Sequence, residues 1–338
     1  MRILAVSHNY LPRLGGIETV TDALTRAWAA AGHEVTIATE TPSEVSCDRA
    51  VALLRRPSPR ALFAATRRAD LVWHNHVSLR ALWALAAAPR PWVVTHQGWL
   101  RGSDGSLGIG YRVKRLVSRW ARSVAISQAI AADLPMSATV IPNPYRDRLF
   151  RNLNLRRRFE LAFLGRLVSD KGAMLLIEAL ARLGEEGRRP RLLIIGEGPE
   201  RGRLEAETQR LELSKQIQFA GPLREEALVE ALNSAGILVV PSLYREPFGI
   251  VALEGIACGC AIIASAGGGL PEAVGPCGLT FPNGDAEALA RRIDELIGSE
   301  GRREALLQGA KDHLAGFKTP AIAERYIRLF ELALGGAR

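Results

Sequence analysis

The sequence predicts an α/β protein with two domains, each a doubly wound parallel sheet. The chain has 338 residues, which is more than one hydrophobic core usually serves. Short apolar runs alternate with longer amphipathic stretches along the chain, as strands and helices do in parallel sheets. A proline-punctuated segment at residues 141–144 interrupts this alternation and indicates an interdomain boundary.

The first domain is predicted to cover residues 1–145. A loop at residues 9–18 joins its first strand to a helix with apolar residues at helical spacing, which ends near Gly32. This unit of strand, loop, helix and strand should be right-handed. Its predicted strands are residues 2–8, 34–39, 71–76, 92–96, 123–127 and 138–142.

Ligands of such sheets bind at the carboxyl ends of the strands, where this sequence places glycines and histidines. The glycine loop lacks a G-x-G-x-x-G fingerprint, which disfavours a dehydrogenase. Gly15 and Gly16 either let backbone N–H groups approach a phosphate or form a plain turn. His96 ends one strand and precedes a glycine two residues later. His74 and His76 are interpreted as hydrogen-bonded structural residues. The alternative is a metal pair at i and i+2, for which no carboxylate partner is evident.

The second domain is predicted at residues 159–318, after a linker at residues 146–158. Arg166 and Lys171 flank the loop after its first strand, where two cations suit a diphosphate or are simply solvated. Its predicted strands are residues 159–165, 191–198, 217–223, 237–241, 261–265 and 278–281.

Two glutamates eight positions apart, Glu246 and Glu254, lie in this second half. We expect the first in a loop and the second inside an apolar helix, because a proline and a glycine follow the first glutamate. The N–H groups at the start of this helix would point toward a ligand. They are those of Phe248, Gly249 and Ile250. Such a site offers acceptors for sugar hydroxyls and donors for an anionic group.

The combined motifs resemble the retaining family-4 glycosyltransferases, also described as glycosyl transferases group 1. They occur in the family's order and span essentially the whole chain: Gly15-Gly16-Ile17-Glu18, His96, Gly-Arg166-x4-Lys171-Gly, Glu246-x7-Glu254 and the glycine loop at residues 267–269. The linker departs from the family, which usually shows Pro-Asn-Gly-Val-Asp. Here the sequence reads Pro-Asn-Pro-Tyr-Arg-Asp, at residues 142–147. The resemblance therefore does not predict which residues this linker contacts.

The resemblance implies the GT-B fold, with two facing Rossmann-like domains and the active site in the cleft between them. A final helix, about residues 320–338, would pack back on the first domain. The implied reaction moves a sugar, of hexosyl type, from a nucleotide-diphosphate sugar to a hydroxyl with retention of anomeric configuration. It implies no cofactor and no metal ion, because cationic side chains and amides would stabilise the leaving diphosphate.

The resemblance also implies roles for particular residues. Glu246 would hold sugar hydroxyls and Glu254 the nucleotide ribose. The catalytic set would be His96, Arg166, Lys171 and Glu246. The donor-binding set would be Gly15, Gly16, Arg166, Lys171, Gly196, Leu223, Glu246, Phe248, Gly249, Ile250 and Glu254. The acceptor side would hold Glu18 and His96.

The charge is distributed unevenly, which bears on partners. Residues 1–150 hold 19 Lys/Arg against 10 Asp/Glu, whereas the remainder holds 25 of each, so the net charge of +9 lies in the first half. Such an asymmetry indicates that the first half binds something anionic, for which a phospholipid surface, a phosphorylated acceptor and nucleic acid all qualify. The basic amphipathic segment 107–122 fits a membrane-surface helix or an ordinary solvated one. No nucleic-acid-binding module is recognisable. We therefore expect a glycan or lipid-linked acceptor, as in envelope, lipopolysaccharide or exopolysaccharide assembly, and no nucleic acid.

No apolar run reaches the roughly 18 residues of a membrane span, and the first residues do not resemble a signal peptide. We expect a cytoplasmic protein, with peripheral binding to the inner face of the membrane as an option. The four cysteines have no Cys-x-x-Cys spacing and are predicted to be reduced: Cys47, Cys258, Cys260 and Cys277. Two alternative functions remain, a sugar-nucleotide epimerase on the same fold and a catalytically silent binding protein. UDP, GDP and ADP remain alternatives for the nucleotide.

Overall fold

The computed structural model describes residues 1–12, 15–42, 51–102 and 105–335. The chain divides into two compact units. The first comprises Met1–Pro144 and Phe317–Arg338, and the second comprises Tyr145–Gly316. Each unit is built on a parallel sheet, which confirms the predicted pair of Rossmann-like domains.

The first unit contains a seven-stranded sheet with the order β3-β2-β1-β4-β5-β6-β7. The strands are β1 Arg2–Val6, β2 Glu34–Thr39, β3 Ala52–Arg55, β4 Leu71–Asn75, β5 Trp92–His96, β6 Arg122–Ala125 and β7 Ala138–Val140. The helices that connect them are α1 Gly16–Ala30, α2 Pro59–Arg68, α3 Leu79–Ala87, α4 Ile109–Val117 and α5 Gln128–Asp133. The central strands β1, β4 and β5 are almost wholly buried, as their continuous apolar runs predict.

Strand β3 was missing from the sequence-based prediction, which ran from β2 directly to the strand at Leu71. It forms the edge of the sheet and contains only four residues, none of them buried. Its residues have neither the continuous apolar run of a central strand nor a clear alternation of apolar and polar residues. The pattern therefore gave no signal there.

The second unit contains a six-stranded sheet with the order β10-β9-β8-β11-β12-β13. The strands are β8 Phe159–Leu164, β9 Leu192–Ile195, β10 Ile217–Gly221, β11 Ala235–Val240, β12 Ala261–Ser265 and β13 Gly278–Phe281. The helices are α6 Ala173–Glu185, α7 Arg201–Arg210, α8 Glu225–Asn233, α9 Ile250–Ala257, α10 Leu270–Val274, α11 Ala286–Ile297, α12 Glu300–Leu307 and α13 Ala310–Ala315. Every strand predicted for this half is present.

The last helix, α14, spans Thr319–Gly335 and belongs to the first unit. Its Tyr326 and Phe330 rings pack edge-on against Trp28, with centroids 5.7 and 5.1 Å from that indole. Trp73 of β4 packs on the same indole at 4.9 Å. The Tyr326 hydroxyl lies 2.8 Å from Oγ1 of Thr95 in β5. The helix therefore completes the core beneath the carboxyl end of β5.

Among the described residues, no helix is both long enough and apolar enough to cross a membrane. Cys258, Cys260 and Cys277 are free, buried thiols. Burial raises the pKa of the Cys260 and Cys277 thiols to about 11, so both stay protonated at neutral pH. Cys47 lies outside the described residues.

Candidate functional site

His96 lies at the carboxyl end of β5 and is fully buried. Its Nε2 is 3.1 Å from the Ser123 hydroxyl, whereas its Nδ1 is buried without a hydrogen-bond partner among the described residues. Burial lowers the pKa of this imidazole to about 3, so the ring is neutral at physiological pH. A neutral ring with one unpaired nitrogen can bind a hydroxyl group but supplies no positive charge.

His74 is enclosed within β4, where its Nδ1 accepts a hydrogen bond from the Trp92 indole N–H at 2.7 Å. Burial lowers its pKa to about 3. Its Nε2 is unpaired within the described part of the chain. Over the same residues, no group of three or more His, Cys, Asp or Glu side chains is arranged to hold a metal ion.

The glycine loop leads into α1, which begins at Gly16. A Cβ at Gly15 would lie 2.5 Å from Oε2 of Glu18, and the Glu18 side chain is buried. The carboxylate therefore folds back onto the loop that precedes it. A side chain at Gly15 would therefore displace the Glu18 carboxylate, which is the flexible end of its side chain.

A buried amide network, which the sequence-based prediction missed, fixes this loop against the strand ends. The Asn75 amide donates to the Ile17 carbonyl at 3.2 Å and to the Thr21 hydroxyl at 2.7 Å. The Gln97 amide donates to Asn75 Oδ1 at 2.7 Å, and Gln97 and Asn143 exchange two hydrogen bonds. The only sequence signal was a single polar residue at the end of each apolar run. The network makes the first turn of α1 rigid relative to β4 and β5.

In the second unit, Lys171 and Glu246 form an ion pair, with Nζ 2.5 Å from Oε1. Glu246 also accepts hydrogen bonds from the Ser242 hydroxyl at 2.8 Å and the Tyr244 hydroxyl at 2.6 Å. Lys171 Nζ lies 3.3 Å from that phenol oxygen and 5.1 Å from the centre of the ring. Two residues assigned separately from the sequence thus meet, and Ser242 and Tyr244 join them. Glu246 is 7% exposed, so these three donors hold its carboxylate in one orientation.

The backbone of Glu246 is fixed by the glycine loop at residues 267–269. The Gly269 N–H donates to the Glu246 carbonyl at 2.8 Å, and Glu246 and Gly268 form an isolated parallel bridge. Gly268 has φ +80°, and a Cβ there would lie 2.0 Å from the Glu246 carbonyl oxygen. The amide of Asn283 donates to the Ser242 carbonyl at 2.9 Å. This loop therefore acts on Glu246 through the backbone.

Arg166 follows β8 and is exposed; over the described residues it has no ion pair or side-chain hydrogen bond. Gly196, predicted to face a nucleotide, packs against the loop after β8 that contains Arg166. It has φ +146°, and a Cβ there would lie 1.9 Å from the Gly165 carbonyl oxygen. Leu223 is half-buried just after β10. These positions surround the carboxyl ends of β8, β9 and β10, where a doubly wound sheet binds ligands.

Helix α9 begins at Ile250, directly after Gly249 with φ +114°, and Phe248 is buried. Glu254 lies inside this helix, as predicted, and is also buried. Arg146, at the position where the linker departs from the family's pattern, places Nε 3.4 Å from Glu254 Oε1. Burial raises the pKa of the Glu254 carboxyl to about 7, although Arg146 opposes the shift.

The raised pKa makes the stability effect of Glu254 depend on pH. The folded protein holds this proton more tightly than the unfolded chain, whose carboxyl has a pKa of 4.5. The free energy of unfolding should therefore fall as pH rises from about 4.5 to 7. We expect Glu254→Gln to raise the free energy of unfolding at pH 8 by as much as about 3 kcal/mol, and to change that free energy little at pH 5. Urea denaturation at both pH values tests this, and equal stabilisation at both would contradict it.

Comparison with known proteins identifies the family. The family model described as Glycosyltransferase Family 4 matches residues 14–146, and that described as Glycosyl transferases group 1 matches residues 146–313. The two matches are consecutive and together cover most of the chain. This chain belongs to the family-4 glycosyltransferases.

Solved structures share the GT-B fold of this family-4 glycosyltransferase. Sucrose-phosphate synthase from Thermosynechococcus elongatus matches with a TM-score of 0.81 at 24% identity, over 99% of each chain. HepE from Anabaena in complex with UDP matches with a TM-score of 0.83 at 19% identity, over 98% of this chain and 100% of that one. At these identities the likeness shows the fold.

Curated relatives match part of the chain. D-inositol 3-phosphate glycosyltransferase of Corynebacterium jeikeium is 34% identical over 180 residues, which is 51% of this chain and 43% of the relative. The protein of the same name from Corynebacterium efficiens is 37% identical over 182 residues, 51% of this chain and 42% of the relative. The matched part thus spans less than half the length of these relatives.

Proposed function

We propose that this protein transfers a sugar from a nucleotide-diphosphate sugar to a hydroxyl acceptor. The observation that carries the proposal is the Lys171–Glu246 pair, held by Ser242 and Tyr244 after the strand β11. Breaking an anomeric bond to a diphosphate builds negative charge on the leaving group. Lys171 and the exposed Arg166 supply cations for that charge, and Glu246 supplies oxygens for sugar hydroxyls.

The proposed donor is a UDP-hexose. HepE of Anabaena, whose fold this chain shares, was solved with UDP, with UDP and glucose, and with UDP-glucose. In this protein Glu254 on α9 would bind the ribose, because its buried carboxyl offers both a proton and a lone pair near pH 7. The N–H groups at the start of α9 would face the diphosphate.

The proposed stereochemical outcome is retention. The bond between the anomeric carbon and the phosphate oxygen breaks, and the bond to the acceptor oxygen forms on the same face of the sugar. The acceptor proton passes to the departing phosphate oxygen. Glu246 is already engaged by three donors in the free protein, which supports a binding role for it rather than that of a covalent nucleophile.

Thermal stabilisation by nucleotides tests the donor assignment directly. The purified protein would be heated with UDP, GDP, ADP, UDP-glucose, GDP-mannose and ADP-glucose, each with and without EDTA. We expect the largest rise in Tm with UDP and UDP-glucose, unchanged by EDTA, because side-chain cations neutralise the diphosphate. Selective stabilisation by another base would replace UDP in the proposal, and no shift with any nucleotide would contradict the transferase function. A rise in Tm that EDTA abolishes would contradict the proposal that nucleotide binding needs no metal ion.

The proposed acceptor is lipid-linked and is met at an anionic membrane surface. Helix α4 and its flanks carry a basic apolar surface, whose large apolar side chains are exposed: Leu107, Ile109, Val113, Leu116 and Trp120. Ile109 and Trp120 are 81% and 75% exposed, which is unusual for apolar residues of this size. The cations Arg112, Lys114 and Arg119 lie in the same segment. Apolar side chains beside cations suit the interface of an anionic bilayer.

Vesicle co-sedimentation tests this surface. We expect binding to phosphatidylcholine vesicles that contain phosphatidylglycerol and weak binding to pure phosphatidylcholine, because cations and apolar groups act together. Ile109→Ser with Trp120→Ser should weaken the binding about tenfold or more. Leu155→Ser is the matched control, since Leu155 is exposed but lies in the linker. Equal sedimentation of both variants would contradict the assignment.

A further inference from the structure

We propose that His76 is a second hydroxyl-binding imidazole, which works beside His96 to hold the acceptor. The inference rests on the proposed transferase function and names a residue for its acceptor side. The sequence had favoured a structural role for His76. The structure points to binding through its register, its backbone conformation and its unpaired side chain.

The strand register sets His76 opposite His96. Strands β4 and β5 run parallel, and their last paired residues are Asn75 and Thr95. His76 and His96 each follow by one position, so they leave adjacent strands at the same level. The His76 N–H donates to the Thr95 carbonyl at 2.8 Å, which fixes its backbone beside the end of β5.

The backbone of His76 adopts a left-handed conformation. Its φ is +74°, in the left-handed region that non-glycine residues seldom occupy. Such conformations persist where the surroundings enforce them, and they cluster at ligand-binding sites. The turn directs the residue away from the extended path of β4, at the edge of the sheet where ligands of this fold bind.

The side chain of His76 has binding capacity that the protein leaves unused. Its Nδ1 is buried and, like Nδ1 of His96, has no hydrogen-bond partner among the described residues. Buried polar atoms are nearly always paired, so two unpaired nitrogens on adjacent strands indicate a ligand that completes them. His74 also has an unpaired nitrogen, but it lies within β4, whereas His76 and His96 lie at the strand ends and the side chain of His76 is partly exposed.

The charge state of the pair selects the class of ligand. Burial and the nearby Lys114 lower the pKa of His76 to about 4, so the ring is neutral, as is His96. Two neutral imidazoles suit the hydroxyl groups of a sugar or polyol, since each nitrogen can form one hydrogen bond without needing an opposite charge. The cations that suit a diphosphate, Arg166 and Lys171, belong to the other unit.

Two substitutions distinguish the contribution of the imidazole nitrogen from that of the backbone conformation. His76→Gly tolerates positive φ and removes the side chain, whereas His76→Asn tolerates positive φ and keeps a hydrogen-bonding atom near Nδ1. Glu212→Gly is the matched control, because Glu212 also has positive φ (+56°) but lies after α7 in the other unit. Each protein would be measured for Tm, for stabilisation by UDP, and for UDP release from UDP-glucose, in which a water molecule takes the place of the acceptor hydroxyl that the two imidazoles bind.

We expect His76→Gly to lower UDP release roughly tenfold, as for a lost hydrogen bond, while stabilisation by UDP stays unchanged. His76→Asn should recover most of the rate, and Glu212→Gly should match the wild type. Unchanged release in His76→Gly, an equal loss in the two His76 variants, or a loss of stabilisation by UDP would overturn the inference. Wild-type protein that releases no diphosphate from UDP-glucose, GDP-mannose or ADP-glucose would instead contradict the transferase function, and the acceptor role would fall with it.

Discussion

Replacing Lys171 with alanine is expected to lower turnover by about 10²- to 10³-fold, the loss typical when one preorganised donor to a developing charge is removed. Lys171 is the cation closest to Glu246, at 2.5 Å, and under the proposed function it also faces the leaving diphosphate. Initial rates of nucleoside diphosphate release at saturating donor measure the effect. Lys215→Ala is the control, because Lys215 is an exposed lysine of the same unit. Full activity in Lys171→Ala would contradict the proposal that Lys171 stabilises the leaving diphosphate.

The same substitution should also destabilise the fold, because Glu246 is left buried with only two neutral donors. We expect a loss of about 1–3 kcal/mol in the free energy of unfolding. Adding Glu246→Gln removes the unpaired charge and should restore much of that stability without restoring turnover. Urea denaturation and rates on the single and double variants distinguish the two effects. Recovery of activity in the double variant would show that Lys171 serves only to neutralise Glu246.

Replacing Gly268 with alanine is expected to cost about 3 kcal/mol of stability and most of the activity. The new Cβ would lie 2.0 Å from the Glu246 carbonyl oxygen, and a backbone atom cannot move aside as a flexible side chain can. The residue must also keep φ near +80°. Relief of the clash displaces Glu246 from its donors, so binding and stability are lost together.

Gly284→Ala is the matched control for Gly268→Ala. Gly284 has φ +79°, but nothing lies within 4 Å of a Cβ there, so its variant carries only the conformational cost of about 1–2 kcal/mol. Thermal and urea denaturation of both variants, with donor turnover, measure the difference. Equal losses in the two variants would show that backbone strain, and not the contact with Glu246, explains the effect.

The sequence predicted the elements that have strong periodic signals and the family motifs that lie on them. The continuous apolar runs of β1, β8 and β11 marked buried parallel strands, and the residues after them marked the binding edge. It did not predict β3, whose four half-exposed residues carry no pattern. Local periodicity reports burial within one element, so it misses a strand such as β3, in which no residue is buried.

The sequence missed partners that depend on tertiary contacts. Arg146 meets Glu254 across more than 100 positions of the chain, whereas Ser242 and Tyr244 lie only four and two positions before the Glu246 that they hold. Single polar residues of this kind resemble ordinary surface residues until the fold brings them to a carboxylate. Gly196 was assigned to the nucleotide, whereas the structure gives it a packing reason as well, its close approach to Gly165. Close backbone approaches of this sort leave no periodic signal.

The return of α14 to the first unit has a consequence for the order in which the protein folds during synthesis. The second unit, Tyr145–Gly316, is continuous and can fold once it has left the ribosome. The first unit cannot close its aromatic core around Trp28 until Tyr326 and Phe330 have been made. The half of the protein that is translated first is therefore the half that matures last. Until then Trp28 and Trp73 lack part of their cover, which makes the nascent first half a substrate for chaperones.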